Sequence, residues 1–322
     1  MRWGITLPIR GVPLPAHADL VRALPGFGYT DVWSAETSGS DAFTPLALAA
    51  AWEPTLRLGT AIVPVYTRGP ALIAMSASAM ASAAPGRFVL GLGASSPAIV
   101  EGWNGIPYEE PFKRSRDVLR VVKSALRGER VDGAFETLVM KRFKLEQPPD
   151  PAPPIFLAAL RAKMLRLAGR EADGVILNWL SAADVPQCLD AVENPSTEVV
   201  ARIFVCPTED AEYARSVART MISTYLNVPA YAAFQDWLGH GEELAAMRSE
   251  WSKRDRAASA AAIPESVVDS LILHGSPEAC VDKINEYVEA GVTTPVIALT
   301  GIAGMTDQKQ LVDTIRRLAP TF

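Results

Sequence analysis

The residues in this chain best suited to chemistry stand just past apolar runs rather than inside them. Glu36 follows such a run in DVWSAETSGSD, which sets a carboxylate where a buried segment ends; a solvated loop acid would read the same way. In PPIFLAALRAK, Ala159, Leu160 and Arg161 separate an apolar run from a helical pattern. Their N–H groups would lie at a helix N-terminus, where free donors and the helix dipole attract phosphate. Arg161 and Lys163 add positive charge there, or simply belong to a solvated helical face. Asn178 and Trp179 end the run at 174–178 as candidate pocket residues, Trp179 being equally suited to a core. Ser95 and Ser96 close GLGASS at 91–96, and Tyr108 and Glu109 follow downstream.

Gly91-x-Gly93 after an apolar run, with Glu109 downstream, has the outline of a dinucleotide fingerprint. The third glycine is missing, however, Pro97 interrupts the helix start, and WNGIP at 103–107 does not lead into a second strand. No Gly-x-Ser-x-Gly elbow, His-x-x-x-His pair or Walker loop occurs.

Positioning these groups requires a sizeable scaffold, and 322 residues that are 49% hydrophobic supply one. With 36 acidic against 31 basic residues, the net charge of −5 argues against a general nucleic-acid or membrane surface. Cys188, Cys206 and Cys280 are far apart, as are His17, His240 and His274, so neither a disulfide framework nor a metal site is expected. MRWGITLPIRG lacks the apolar core of a signal peptide and no run approaches 18 apolar residues, so the expected location is the cytoplasm.

Apolar runs at 2–7, 31–35, 56–65, 88–93, 155–159, 174–178, 199–206 and 295–300 read as strands. Most are continuous rather than alternating, as strands covered on both faces are. Helical patterns at 16–24, 45–51, 71–84, 113–127, 162–171, 210–222 and 277–290 fall between them. Eight such units predict a (β/α)8 barrel, with an open doubly wound sheet as the rival. The expected domain is a single unit, 1–322, with two interruptions. The stretch 128–154 reads as a small β-like excursion with a proline-stiffened return. The stretch 223–263, carrying Tyr225, Tyr231, Phe234 and Trp237, reads as an insertion that covers the site.

GTAIVPVYTRGPALIA followed by PGRFVLGLGASS, then PPIFLAALRAKMLRLAGREADGVILNWLS and LILHGSPEACVDKINEYVEAGVTTPVIALT, resemble the luciferase-like monooxygenase superfamily in its coenzyme F420 branch. The resemblance implies a TIM barrel and a non-prolyl cis peptide at Ala61–Ile62 that presses on the rear face of a tricyclic cofactor. It implies further that Glu36 meets the ring's polar edge, that Ser95 and Ser96 meet the hydroxylated side chain, and that Ala159–Leu160–Arg161 hold the phosphate. Thr37 stands where sugar-oxidising relatives carry a histidine base, and serine stands near the position of their glutamate acid, which leaves Tyr108 and Glu109 as candidate proton donors in its place. Arg161-Ala162 replaces the Gly-Pro of many relatives. The implied reaction is therefore reduction of an activated double bond or carbonyl by hydride transfer from the deazaflavin, with Glu36 and Glu109 as candidate catalytic carboxylates. An FMN-dependent monooxygenase using reduced flavin and O2, and a cofactor-binding barrel without catalysis, are the alternatives. By analogy the chain is expected to act on a small molecule and to form a homodimer through outer helices such as 71–84.

Overall fold

The computed structural model describes residues 1–302 and 307–320; the expected single domain includes 303–306 and 321–322, which lie outside the described residues. The strands, in chain order, are β1 (Gly4–Thr6), β2 (Asp31–Ser34), β3 (Arg57–Thr60), β4 (Val63–Pro64), β5 (Phe88–Gly93), β6 (Val131–Ala134), β7 (Val139–Phe143), β8 (Ile155–Ala158), β9 (Gly174–Asn178), β10 (Glu198–Cys206), β11 (Ile272–His274) and β12 (Thr294–Leu299). The helices are α1 (Ala18–Phe27), α2 (Phe43–Trp52), α3 (Pro70–Ala83), α4 (Pro111–Leu126), α5 (Ala162–Glu171), α6 (Val185–Val192), α7 (Ala211–Tyr225), α8 (Pro229–Leu238), α9 (Ala245–Ser252), α10 (Arg256–Ala261), α11 (Glu265–Leu271), α12 (Pro277–Glu289) and α13 (Gln308–Arg317).

Eight strands pair in parallel around a closed ring, in the order β1, β2, β3, β5, β8, β9, β10, β12 and back to β1. Strand β10 makes the closure, with residues 198–202 on β9 and 200–205 on β12. All eight strands expected from the apolar runs are present, and the closed ring rules out the open-sheet rival. The helices pack outside through apolar stripes; α4, for example, buries Val118, Leu119, Val122 and Leu126.

Three features differ from the sequence expectation or sharpen it. The run at 56–65 is not one strand: the Ala61–Ile62 peptide is cis, and the chain resumes as β4, pairing Val63 with Leu92 and Pro64 with Gly93. Strand β11 was not anticipated. It exists because β9 covers only the first part of the nine-residue β10, and the open edge at 204–206 is taken by Ile272–His274. The β-like excursion is an antiparallel β6–β7 hairpin, and the insertion is helical, built from α8, α9 and α10. Among the described residues no helix is long and apolar enough to cross a membrane.

Side chains of Trp33, Val89, Phe156, Ile176, Val200 and Val296 fill the barrel lumen. Trp33 fits because Gly59 has no side chain: a Cβ there would stand 2.3 Å from the indole ring. Below this layer a polar network closes the floor. Asp31, Arg57, Glu198 and Thr294 are each the first residue of their strand. Arg57 holds Glu198 at 2.9 and 2.6 Å, Thr294 Oγ1 at 3.2 Å, and Asp31 through Nε. Burial opposes ionisation of Glu198, but the hydrogen bonds and charge of Arg57 outweigh it and hold this carboxyl below its ordinary range.

A carboxyl held low in the folded state stabilises above its unfolded-state pKa and ceases to do so as pH falls through its folded value. Glu198→Gln is therefore expected to cost about 1–3 kcal/mol at neutral pH, given its partial exposure. The gap from wild type in urea midpoints should close as the pH is taken below about 4; a gap unchanged with pH would contradict this role.

Candidate functional site

In a closed parallel barrel all strand C-termini open on one rim, and polar groups placed there are free of the packing below. The cis peptide and the end of β8 meet on this rim. A Cβ on Gly93 would stand 3.0 Å from Ile62 Cγ1 and 3.1 Å from Ala158 Cβ, so the bare Cα of Gly93 lies between them. Ala61, Ile62 and Ala158 pack down onto the lumen layer. Together with Gly93 they form an apolar floor able to receive a flat ring. The main chain pins this floor to β2: Ala61 N–H donates to Ser34 O at 2.6 Å, and Glu36 N–H donates to Ile62 O at 3.1 Å.

Glu36 is therefore anchored beside the floor, and its carboxylate is already partnered. Arg68 Nε donates to both oxygens at 3.1 and 3.0 Å, with each side chain about a fifth exposed. The guanidinium also lies over the Phe43 ring at 5.1 Å and 3.8 Å from Asp41. Arg68 went unrecognised in the sequence; its signal was a lone arginine in the short link between β4 and α3.

Two residues past the end of β5, Ser95 adopts positive φ and its carbonyl accepts from Tyr108 Oη at 3.3 Å. Ser95 and Ser96 are both half-buried beside the floor. Burial, with Tyr231 nearby, pushes the Tyr108 phenol up to about 12, so it stays protonated at neutral pH. The ring of Tyr66 lies 5.0 Å away, and its hydroxyl donates to the Glu109 carbonyl. Glu109 is itself exposed, so of the two candidate donors Tyr108 is the one embedded in the rim.

One expected phosphate donor is not free. Ala159 N–H donates to Ile176 O at 3.1 Å, continuing the sheet ladder, and Ala159 is buried. The candidate donors shift towards α5. Its N-cap residue Arg161 is extended and no side chain caps the helix. The first-turn amides of Ala162 and Lys163 precede any intrahelical partner, and Leu160 and Arg161 lead into them. Arg161 and Lys163 are exposed, with Lys163 Nζ 4.2 Å from the centre of the Phe112 ring.

The pair at the end of β9 divides. Trp179 is 1% exposed and packs against Phe204 at 4.3 Å and Tyr225 at 5.0 Å, while its carbonyl accepts from Gln235. It seats the helical insertion and is a core residue, not the expected pocket wall. Asn178 remains at the rim, its amide donating to Tyr231 Oη at 3.3 Å. Tyr231, named above among the aromatic residues of the covering insertion, and Arg202, from β10, which was not singled out, stand near one another here. The signal for Arg202 was one charge inside the otherwise apolar run VVARIFVC at 199–206.

A tricyclic cofactor with a phosphate on its tail fits this rim on two counts. Any side chain at Gly93 would intrude on the floor, and an uncapped helix N-terminus follows the adjoining strand. Among the described residues no group of three His, Cys, Asp or Glu side chains could hold a metal ion.

Comparison with known proteins places this rim in context. Residues 1–294 match the family model described as luciferase-like monooxygenase. A candidate coenzyme F420-dependent oxidoreductase of Mycobacterium tuberculosis is 26% identical over 97% of this chain and 99% of its own. The coenzyme F420-dependent tetrahydromethanopterin reductase of Methanopyrus kandleri superposes with a TM-score of 0.79 at 20% identity, covering 98% of this chain and 97% of that one. The FMN-bound oxygenating constituent of 3,6-diketocamphane monooxygenase from Pseudomonas putida superposes with a TM-score of 0.67 at 18% identity, covering 99% and 96%.

The contrast at the end of β9 can be measured. Trp179→Ala should lower the unfolding free energy by about 3–5 kcal/mol, as removal of a buried aromatic does. Calorimetric unfolding that barely moves would return Trp179 to the pocket wall.

Proposed function

This chain belongs to the luciferase-like monooxygenase family, and from that premise we propose that it is a coenzyme F420-dependent oxidoreductase acting on a small organic substrate. The observation that carries the reading is the contact through Gly93, which sets the Ala61–Ile62 support and the approach to the α5 phosphate cradle on one rim. One ligand can therefore touch both. The name of the full-length mycobacterial relative supports the choice of cofactor. The oxidoreductases and monooxygenases among the relatives also weigh against a barrel without catalysis.

When bound, coenzyme F420 supplies a hydride donor or acceptor at C5 of its ring. The residues of this chain supply position and exclusion of water. Ala61, Ile62 and Ala158 support the rear face, and the Glu36–Arg68 pair offers a charged edge for the ring's polar side. Ser95 and Ser96 line the path of the side chain, while Leu160 to Lys163 receive the phosphate. Thr37 is exposed and cannot act as a base near neutral pH, which favours reduction of an activated double bond or carbonyl over alcohol oxidation. Tyr108, held protonated beside Ser95, is the best-placed acid. The FMN-bound neighbour keeps a flavin monooxygenase as the second reading.

Titration of the purified protein with each cofactor, followed by fluorescence quenching, separates the two. F420 is expected to bind at least about tenfold more tightly than FMN, a difference of about 1.4 kcal/mol. The reverse order would favour the monooxygenase.

We also propose pairing through α3, whose outer face exposes Leu72 and Met75. Light scattering should show a dimer that Leu72→Glu with Met75→Glu converts to monomer; a wild-type monomer at micromolar concentration would sink the idea.

A further inference from the structure

Strand β10 faces β3 across the ring, four strands away in either direction. Its inward residues climb from the lumen to the rim. Val200 belongs to the lumen layer, so Arg202, two residues on, faces the same way one step higher. The guanidinium lies 4.9 Å from the centre of the Phe204 ring. Its Nε is buried with no hydrogen-bond partner, and among the described residues no carboxylate pairs with it. Burial disfavours the charge of Arg202, and the titratable groups facing it are the neutral phenols of Tyr225 and Tyr231.

Apart from its stacking on Phe204, a guanidinium whose Nε is buried without a hydrogen bond and that no carboxylate balances costs stability. The groups beside it are incomplete in the same sense. Asn178, its register partner on β9, donates to Tyr231 Oη but leaves its own Oδ1 buried and without a partner. Tyr231, accepting from Asn178, keeps its phenolic proton free to donate. Thr6, two residues beyond Gly4 on the inward face of β1, also has a buried Oγ1 with no partner. The wall opposite the apolar floor therefore offers one cation, one O–H donor and one amide oxygen, bordered by Phe204 and Tyr225.

We propose that Arg202, with Tyr231 and Asn178, is the substrate anchor, and that the substrate carries a carboxylate attached to an apolar or aromatic body. A guanidinium presents a planar fork that matches the two oxygens of a carboxylate. The Tyr231 hydroxyl supplies a further donor, and Asn178 Oδ1 receives an O–H or N–H next to the acid. The body of the substrate then extends from β10 over the exposed face of a ring resting on the β3 side. This assignment rests on the oxidoreductase reading above, since it takes the floor opposite to be the cofactor's.

Cinnamate and cinnamyl alcohol are suitable probes, alike in their aromatic body and different in charge. Binding of each to the F420-loaded protein is measured by calorimetry, and F420 binding is measured separately by fluorescence. Cinnamate should bind at least about tenfold more tightly than the alcohol. Arg202→Met should remove that preference, Arg202→Lys should restore part of it, and Tyr231→Phe should weaken cinnamate a few-fold, all with the F420 dissociation constant within about twofold of wild type. Arg202→Met should also melt at or above the wild-type temperature, because it removes an unpaired buried charge. Equal binding of the two probes by wild type with F420 binding intact would overturn the anchor and leave the cofactor reading standing. Loss of F420 affinity in Arg202→Met would make Arg202 a cofactor ligand, and a lower melting temperature would make it structural; either overturns the proposal. Failure of wild type to bind F420 at all would strike the cofactor reading, and with it this assignment, whatever the probes do.

Discussion

Closure of the ring by β10 is the constraint on which this molecule depends. Paired on one edge to β12 and on the other to β9, then β11, it forces eight parallel strands to end on a common rim. The Arg57 network holds the opposite end, where the first residues of four strands converge on one guanidinium and its partners. The lumen between this charged end and the rim is filled by Trp33, Phe156 and the aliphatic side chains between them, so within the barrel the open end is the rim. Fold and site are thus one fact: the closed ring collects distant residues in one place.

Much of this was legible in the sequence. All eight barrel strands could be read because most are continuous apolar runs, the mark of strands covered on both faces. The resemblance located the cis peptide at Ala61–Ile62, where it is found. What escaped was information that exists only between segments. Nothing local says that Arg68 pairs with Glu36 across 32 residues, or that the Ala159 N–H is spent on Ile176. Trp179 reads alike as pocket or core until the insertion is seen packing on it. Strand β11 is three residues long and owes its existence to an edge left open by a longer neighbour, which no propensity records.

The candidate site combines two walls of opposite character. On the β3, β5 and β8 side the residues are apolar and the main chain is close, suiting a broad flat surface. On the β9 and β10 side stand Asn178 and Arg202, whose Oδ1 and Nε the protein itself leaves unsatisfied, and, from the insertion, Tyr231, which accepts from Asn178. Native interiors rarely tolerate such groups, and their clustering on one rim is better explained by a ligand than by packing.

One strand bears on all of these levels. Over nine residues, a length of about 30 Å, β10 carries Glu198 in the floor network, Val200 in the lumen, Arg202 at the rim and Phe204 against the residue that seats the insertion. A slip by a single position would turn every one of these side chains to the wrong face at once. Such a strand cannot be adjusted piecemeal. The height of Arg202 above the lumen is thereby set by the strand as a whole, and α8, which brings Tyr231, is placed against β10 as against a fixed ruler.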